Sequence, residues 1–243
     1  MKKTKEKDRT WWLLVGGRKR LGRELAQALA SGHNLILTTS VSWKEEADWI
    51  SELSKQTQVR CLLWDAASPD LVKTMMADLD ALGAAGVKVN SCVVVAGTFP
   101  EAPLGSWTPG NLAETWQVNL ALPLLVAQAV APHLAEGGCL QFLLDIAIHR
   151  PFGRRLPYSA AKAGLAAMVP GLARVLAPRV RVVGHALGTL LPEEGLAPEV
   201  LAGRSLLKRL GTPGDLVRAL VYAAESPYLT GAVLPLDGGT RWS

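Results

Sequence analysis

The sequence predicts a single-domain α/β fold of the Rossmann type, with a doubly wound, parallel, seven-stranded sheet flanked by helices. Short apolar runs alternate with segments of helical spacing along almost the whole chain. The apolar runs do not alternate apolar with polar residues, which indicates strands buried on both faces of a parallel sheet. Repeated strand-then-helix units require right-handed crossovers. No linker rich in Pro, Gly or Ser divides residues 11–243, so we expect one domain after a basic tail at residues 1–10.

The first half of the chain contains four predicted strands joined by predicted helices. In chain order these elements are strand 11–17, helix 20–32, strand 34–40, helix 43–56, strand 59–65, helix 68–83 and strand 91–97. The strands are apolar runs such as WWLLVGG and SCVVVAG. The first helix places Leu21, Leu25 and Leu29 on one face. In the third helix, Ser68 is the expected N-cap and Pro69 stands in the first turn.

The second half of the chain continues the alternation with longer elements. In chain order these are helix 111–135, strand 137–147, helix 157–177, strand 179–187, a looser segment at 188–212, a helix within 211–226 and strand 231–239. Pro170 lies inside the second of these helices, where it either bends the helix or is tolerated at some cost. The last helix begins at a capping segment, GTPGDL.

Charge and composition limit the function classes. The net charge of +5 comes from Lys and Arg scattered along the chain, which indicates a solvated surface and a site for an anionic small molecule, with no nucleic-acid partner. Cys61, Cys92 and Cys139 are odd in number and far apart, which indicates buried thiols of a reducing compartment and no metal site. We find no apolar run of roughly 18 residues and no apolar signal-peptide core. We therefore expect a cytoplasmic protein without a membrane partner.

The segment VGGRKRLGREL, between the first strand and the first helix, is suited to bind phosphate. Gly16 and Gly22 allow backbone N–H groups to approach a pyrophosphate, and the start of a helix adds partial positive charge. Arg18, Lys19 and Arg20 add three formal cations to this turn. The alternative interpretation is a plain tight turn with exposed charges.

The ends of the second and third strands bear on which dinucleotide binds. An acidic residue after the second strand would select NAD. The segment LTTSVSW instead offers Thr39, Ser40 and Ser42, with no carboxylate to repel a 2′-phosphate. With Arg18 near in sequence, this favours NADP. Asp65 ends the third strand, where it either accepts the adenine amino group or caps the following helix.

The segment DIAIHRPFGRRLPYSAAK holds a carboxylate, a phenol and an ammonium at fixed intervals. Tyr158 and Lys162 are four residues apart and share one helix face, and Asp145 lies 13 residues before the tyrosine. A neighbouring ammonium favours the phenolate, so we expect Lys162 to lower the pKa of Tyr158 toward the working pH. Such a phenol can protonate an atom that gains charge during hydride transfer. The alternative is an ordinary helix with an exposed lysine.

These motifs together resemble the short-chain dehydrogenase/reductase family over nearly the whole chain, from VGGRKRLG to LDGG. YSAAK matches the Tyr-x-x-x-Lys of the family, WQVNLALP places Asn119 at the position of its catalytic Asn, and KRLGTPGDL resembles its C-terminal region. Some positions depart from the family pattern. Arg20 replaces a glycine of the turn, Val15 replaces Thr, Val94 and Val95 replace two Asn, and Leu187 replaces Pro.

The resemblance implies an NADP-dependent oxidoreductase. The implied catalytic residues are Asn119, Asp145, Tyr158 and Lys162. In the family the Asn holds a water that links the Lys to solvent, and the Lys bonds the nicotinamide ribose. The residues implied to bind NADPH or NADP are Gly16, Arg18, Lys19, Arg20, Leu21, Gly22, Ser40, Asp65, Ala66, Ala96, Gly97, Tyr158, Lys162, Gly188, Thr189 and Leu190. Because family members pair their long helices between subunits, a homotetramer is also implied.

Several positions resemble the pteridine reductases within this family. Most members carry Ser where this chain has Asp145, whereas pteridine reductases carry Asp there and tend to have Arg in the glycine turn, as at Arg20. Phe99 stands where trypanosomatid members stack a Phe on the pterin, and LLPEEG at 190–195 is similar to a bacterial LLPEG stretch. An ionised Asp accepts hydrogen bonds only, which suits N–H donors and repels the oxyanion of a reduced ketone.

The sequence therefore predicts an NADPH-dependent reductase of a pterin-like substrate, with Phe99, Asp145 and Tyr158 as substrate-binding residues. Two alternatives stay open. One is a general short-chain ketoreductase acting on an acyl thioester, quinone or sugar carbonyl. The other is a non-catalytic NADP-binding protein, which the departures at Val94, Val95 and Leu187 motivate.

Overall fold

One parallel sheet contains seven strands, as the sequence predicts, and the predicted fold class is confirmed. The computed structural model describes residues 9–192 and 197–243. The strands are β1 (Trp11–Val15), β2 (Asn34–Thr39), β3 (Val59–Leu63), β4 (Val89–Val94), β5 (Leu134–Asp145), β6 (Val180–Leu187) and β7 (Ala232–Leu236). They are hydrogen-bonded in the order β3-β2-β1-β4-β5-β6-β7, and every neighbouring pair is parallel. β2 and β6 are buried along their whole length, which agrees with their lack of an alternating pattern.

Helices cover both faces of the sheet. They are α1 (Arg20–Leu29), α2 (Ala47–Ser54), α3 (Leu71–Ala84), α4 (Pro109–Trp116), α5 (Leu122–Val130), α6 (Leu156–Leu176), α7 (Pro198–Gly203) and α8 (Pro213–Glu225). On one face, α3, α5 and α6 contribute Met75, Val126 and Leu165 to the larger apolar core. On the other face, α1 and α8 contribute Leu25 and Leu216. Each of these buried side chains stabilises the fold by about 1.5–3 kcal/mol.

The prediction of one long helix at 111–135 is wrong. The structure divides this segment into α4, a π-helical turn at Gln117–Ala121 and α5. Pro123 has no N–H group to donate to the carbonyl of Asn119, four residues earlier. The Asn119 side chain also donates from Nδ2 to the Thr115 carbonyl at 3.0 Å. Both features disturb the regular helical ladder at Asn119.

Other boundaries differ by a few residues. Helix α3 begins at Leu71 and not at Ser68, because Ser68 closes a turn in which its carbonyl accepts from Leu71 N–H and its Oγ accepts from Asp70 N–H. Strand β5 begins at Leu134 instead of residue 137. Pro170 is tolerated, since α6 continues through it without interruption.

The tail predicted at residues 1–10 falls mostly outside the described part of the chain. Among the residues that are described, no helix combines the length and the apolar composition that a membrane span requires.

The strand order reverses between β1 and β4, which creates a crevice at the carboxyl ends of these strands. Val15 pairs with Val94 in this part of the sheet. The N–H groups of Val95 and Ala96 donate to the Val15 carbonyl at 2.9 and 2.8 Å. The glycine turn after β1 therefore lies against the segment that follows β4.

A buried arginine in β6 ties the sheet to the end of α8. The guanidinium of Arg181 donates to the carbonyls of Ala223 and Ala224 at 2.6 Å and of Ser226 at 2.9 Å. Its Nε donates to the Gly137 carbonyl at 3.3 Å. Carbonyls in the last turn of a helix have no intrahelical donor, so Arg181 satisfies groups that would otherwise be buried without a partner.

Replacing Arg181 with Met should lower the free energy of unfolding by about 3 kcal/mol, because several buried carbonyls lose their donors together. Urea denaturation followed by circular dichroism measures this change. Arg174→Met is the matched control, since Arg174 is exposed on α6 and should change the free energy of unfolding by less than about 0.5 kcal/mol. Equal effects of the two substitutions would contradict the role given to Arg181.

Candidate active site

The turn between β1 and α1 has a backbone that only glycine permits at two points. Gly16 has φ +91°, and a Cβ there would lie 2.8 Å from the Ala96 nitrogen. A Cβ at Gly22 would lie 2.1 Å from the Gly16 carbonyl oxygen. These close approaches bring the backbone of the turn to the crevice, and Leu21 follows it half-buried at the start of α1.

The three cationic residues of this turn, Arg18, Lys19 and Arg20, differ in exposure and in their partners. Lys19 and Arg20 are exposed, and Arg20 has φ +48°, a left-handed conformation at the position where the family has a glycine. Arg18 is buried, and its guanidinium bonds Glu45 at 2.8 Å and lies 3.4 Å from Glu46. The expectation that no carboxylate lies near a 2′-phosphate at this end is therefore wrong, because the chain after β2 returns two glutamates to Arg18.

The residues predicted to contact the adenosine lie near the ends of β2 and β3. Ser40 is exposed directly after β2. Asp65 is also exposed, and its Oδ1 accepts from the Ala67 N–H at 3.0 Å, so it closes the turn that precedes α3. The neighbouring Ala66 carbonyl accepts from Gln117 Nε2 at 3.0 Å. Neither contact excludes adenine from the second carboxylate oxygen of Asp65.

Two predicted catalytic side chains meet at Gly97. A Cβ at Gly97 would lie 3.1 Å from Asn119 Oδ1 and 3.8 Å from Lys162 Nζ. The Asn119 side chain is fully buried, donates from Nδ2 to Thr98 Oγ1 at 3.0 Å and accepts from the Thr98 N–H at 3.3 Å. Lys162 Nζ donates to the Leu143 carbonyl at 2.9 Å. Gly97, which has no side chain, therefore lies directly against both of these polar groups.

Asp145 and Tyr158 form a direct hydrogen bond at the end of β5. The Tyr158 hydroxyl donates to Asp145 Oδ2 at 2.9 Å. The other carboxylate oxygen accepts from the Ala147 N–H at 2.8 Å, which fixes the orientation of the group. Lys162 Nζ lies 5.7 Å from the centre of the Tyr158 ring. The intervals of 13 and four residues in the sequence thus correspond to one cluster in the fold.

The pKa of Tyr158 is raised, and the expectation that Lys162 lowers it toward neutral pH is wrong. Burial raises the pKa most, and the negative charge of Asp145 and the hydrogen bond to it add to the effect. Arg155 opposes this with a smaller lowering. Tyr158 therefore stays protonated to high pH in the free protein.

Burial shifts the pKa values of Asp145 and Lys162 in the directions that favour their uncharged forms. Burial raises the pKa of Asp145, although the Ala147 N–H, the Tyr158 hydrogen bond and the charge of Lys162 oppose it. Burial lowers the pKa of Lys162 to about 8, against the attraction of Asp145. Strongly perturbed pKa values in one crevice are typical of functional sites.

Phe99 lies at the entrance of this cluster. Its ring is 43% exposed and meets the Tyr158 ring edge-on, with centres 4.8 Å apart. The guanidinium of Arg155 stacks 4.0 Å from the centre of the Phe99 ring and also contacts Glu101 at 3.5 Å. The sequence does not indicate these contacts of Arg155, since its partners are more than 50 residues away.

The segment after β6 closes the far side of the crevice. The Gly188 N–H donates to the Leu236 carbonyl at 3.0 Å, and a Cβ at Gly188 would lie 2.8 Å from Asp237. The Thr189 carbonyl accepts from the Gly211 N–H at 3.0 Å, and Leu190 is buried. The last part of the LLPEEG stretch, at residues 193–195, lies outside the described residues.

The residues present fit a nicotinamide dinucleotide. The glycine turn brings the start of α1 to the crevice, where a pyrophosphate can bind, and Asn119 and Lys162 flank Gly97. Ser40 and Asp65 follow β2 and β3, whereas Asp145 ends β5 and meets Tyr158 there. The structure thus brings the predicted residues to one edge of the sheet.

Comparison with known proteins agrees with this geometry. A family model described as enoyl-(acyl carrier protein) reductase matches residues 17–241. The chain is 31% identical to the short-chain dehydrogenase/reductase SDRA of Arabidopsis thaliana over 63% of this chain and 64% of that protein. It is 28% identical to the granaticin polyketide synthase putative ketoacyl reductase 2 of Streptomyces violaceoruber, over 94% of this chain and 95% of that protein.

The fold also matches solved structures. The blue fluorescent protein from a metagenomic library, in complex with NADPH, superposes with a TM-score of 0.85 at 24% identity, over 97% of this chain and 99% of that chain. The family match covers most of the sequence and includes Asn119, Asp145, Tyr158 and Lys162. The chain therefore belongs to the short-chain dehydrogenase/reductase family of oxidoreductases.

Proposed function

We propose that this protein is an NADPH-dependent reductase of a pterin-like substrate of the dihydropteridine or dihydrofolate type. The observation that carries the proposal is the hydrogen bond between the Tyr158 hydroxyl and Asp145 at the end of β5. A carboxylate at this position can take up and pass on a proton, and it has two oxygens. The serine hydroxyl of most family members has one oxygen and carries no charge.

Each catalytic role follows from the position of a side chain. When bound, the nicotinamide supplies the hydride. Lys162 is on α6, its Nζ is fixed by the Leu143 carbonyl of β5, and it would bind the nicotinamide ribose. Asn119 is fixed by Thr98 and keeps the neighbouring wall polar. Tyr158 and Asp145 face the substrate side, next to Phe99.

The proton path is constrained because a hydroxyl group has one hydrogen. Tyr158 donates it to Asp145 and can turn it to a substrate only if Asp145 carries a proton and donates to the phenol oxygen. The Asp145 O–H bond then breaks as the phenol oxygen accepts, and the Tyr158 O–H bond breaks as the substrate nitrogen or oxygen accepts. Burial raises the pKa of Asp145, which increases the protonated fraction.

The shape and chemistry of the entrance support a flat, N–H-bearing substrate. Asp145 keeps acceptor lone pairs in both protonation states, so it can accept from ring or amino N–H groups. The half-exposed Phe99 offers an aromatic face beside Tyr158. A protonated Asp145 that donates to Tyr158 has no hydrogen left for the carbonyl oxygen of a simple ketone.

Cations in the glycine turn support NADPH over NADH. Lys19 and Arg20 are exposed at the start of α1, and Arg18 lies beside β2. The structural relative from a metagenomic library is itself described as a complex with NADPH.

A general ketoreductase is the second candidate. It is favoured by the similarity to a putative ketoacyl reductase along almost the whole chain. A third possibility is a non-catalytic NADP-binding protein. It is favoured by Val94, Val95 and Leu187, which replace polar or proline residues of the family pattern.

A homotetramer is part of the same proposal. Met168 and Val175 are 42% and 77% exposed on α6. These two residues are seven apart, so they lie on one face of α6, and we propose that this face contacts another copy.

Tyr158→Phe should lower kcat for reduction by about 10²–10⁴, because the final proton donor is lost. Its Kd for NADPH, measured by fluorescence titration, should stay within about twofold of the wild-type value. Tyr222→Phe is the control, since Tyr222 is exposed on α8. Undiminished turnover in the Tyr158 variant would refute its role as the acid.

The rate of reduction should fall about tenfold per pH unit once the pH exceeds the raised pKa of Asp145, since the carried proton is then lost. In Asp145→Asn this limb should disappear, because the amide does not titrate. The phenolate of Tyr158 should also form at lower pH in this variant, since the charge that raises its pKa is gone. Ultraviolet absorbance measures the titration, with Tyr158→Phe as the spectral reference. An unchanged pH profile and titration would contradict the relay.

Substrate class is tested by kcat/KM with NADPH for dihydrobiopterin and for an acetoacetyl thioester. Wild type should prefer the pterin, and Asp145→Ser should shift the ratio toward the thioester by at least about tenfold, because a serine hydroxyl can donate to the substrate carbonyl, whereas the one hydrogen of Asp145 is directed to Tyr158 in the relay. A wild-type preference for the thioester would favour the ketoreductase instead. Turnover of neither, together with tight NADPH binding, would favour the non-catalytic protein.

A further inference from the structure

Arg18 is an arginine whose hydrogen-bonding capacity is mostly unused. It is only 6% exposed, and within the described residues its guanidinium makes one hydrogen bond, from Nη2 to Glu45 Oε2 at 2.8 Å. Its Nε is buried and donates to no atom in that part of the chain, although Glu46 Oε1 lies 3.4 Å away. A buried guanidinium normally has its N–H groups satisfied, so this one is arranged for a further acceptor.

The two glutamates beside Arg18 differ in how firmly they are held. Glu46 has a side chain that is 13% exposed and bridges Arg18 and Arg23, the latter at 2.9 Å. Arg23 is held in turn by stacking over Trp49, 4.5 Å from the ring centre. Glu45 is different, since its side chain is 83% exposed and holds Arg18 through a single contact. Because the Glu45 carboxylate lies in water, it gains little from this ion pair, and a more highly charged anion can replace it.

The position of Arg18 relates this pair to the cofactor. The turn that carries it is bonded to β2, through Gly17 N–H to the Thr38 carbonyl at 3.0 Å and Gly16 N–H to Thr38 Oγ1 at 3.2 Å. The end of β2 is where a dinucleotide of this fold places its adenosine ribose. Arg18 and Glu45 therefore meet at the end of the crevice that distinguishes NADP from NAD.

We propose, resting on the proposed NADPH dependence, that Glu45 occupies on Arg18 the place that the 2′-phosphate of the cofactor takes. Glu45 is thus an internal competitor that sets the cofactor preference, and Glu46 is a positioning residue that keeps the guanidinium in place. A 2′-phosphate carries more charge and more oxygens than a carboxylate, so it can displace Glu45 and also reach the unsatisfied Nε.

A different role for Glu45 predicts the opposite result. A carboxylate near the end of β2 can accept hydrogen bonds from the ribose hydroxyls of NAD. Removing the Glu45 carboxylate would then weaken the binding of NADH. Removing a competitor instead strengthens the binding of ligands that carry a 2′-phosphate.

The test uses Glu45→Gln and Glu46→Gln in the full chain, with Glu52→Gln as control. Glu52 forms a similarly exposed ion pair with Lys55 on α2, remote from Arg18 in sequence. Isothermal titration calorimetry measures Kd for NADPH, NADH, adenosine 2′,5′-bisphosphate and 5′-AMP. Glu45→Gln should tighten the two 2′-phosphorylated ligands by about twofold to fivefold and leave the other two unchanged. Glu46→Gln should weaken the 2′-phosphorylated ligands, and Glu52→Gln should change nothing.

Unchanged binding of the bisphosphate to Glu45→Gln, or weaker binding of NADH, would overturn the inference. If wild type preferred NADH while Glu45→Gln still tightened binding of the 2′-phosphorylated ligands, the proposed NADPH preference would fail and the inference would stand. Loss of reductase activity with the predicted calorimetric pattern would leave the inference intact and overturn the proposed function.

Discussion

The single hydrogen of the Tyr158 hydroxyl is the constraint on which the site depends. The hydroxyl donates this hydrogen to Asp145, so Tyr158 can donate to a substrate only when its bond to Asp145 changes direction. Strand β5 fixes the cluster of Asp145, Tyr158 and Lys162 at two points, because Asp145 is its last residue and the Leu143 carbonyl anchors Lys162. A shift of this strand by one residue would turn Asp145 to the other face of the sheet and separate the cluster. The apolar cores on both faces of the sheet therefore determine the chemistry as well as the stability.

The spacing of residues along the sequence predicted those features that depend only on the geometry of strands and helices. Continuous apolar runs and regular alternation with helices predicted the number of strands and their parallel direction. The intervals between Asp145, Tyr158 and Lys162 predicted their proximity, because a strand end and one helical turn have fixed dimensions. The pKa of Tyr158 was predicted in the wrong direction. The sequence reveals that an ammonium is near, but burial decides the sign, and burial depends on the whole fold.

Contacts between loops that are far apart in the chain could not be predicted from the sequence. Glu45 follows Arg18 by 27 residues, and Arg155 follows Phe99 by 56, so neither contact has a periodic signal. Both depend on how a loop returns over the carboxyl edge of the sheet. The break of the long helix at Asn119 is a different case. Pro123 marks it in the sequence, yet whether a proline kinks, widens or ends a helix depends on what satisfies the freed carbonyl.

Most of the departures from the family pattern lie at positions where backbone hydrogen bonds maintain the structure. Val95 replaces an asparagine, yet its N–H still donates to the Val15 carbonyl, so the turn after β4 keeps its contact with the turn after β1. Arg20 replaces a glycine at a left-handed φ, which costs roughly 1 kcal/mol for a residue with a side chain. That strain leaves a cation at the start of α1, beside the phosphate-binding turn. The same substitutions that distance this chain from its family thus leave the geometry of the crevice in place and change its charge.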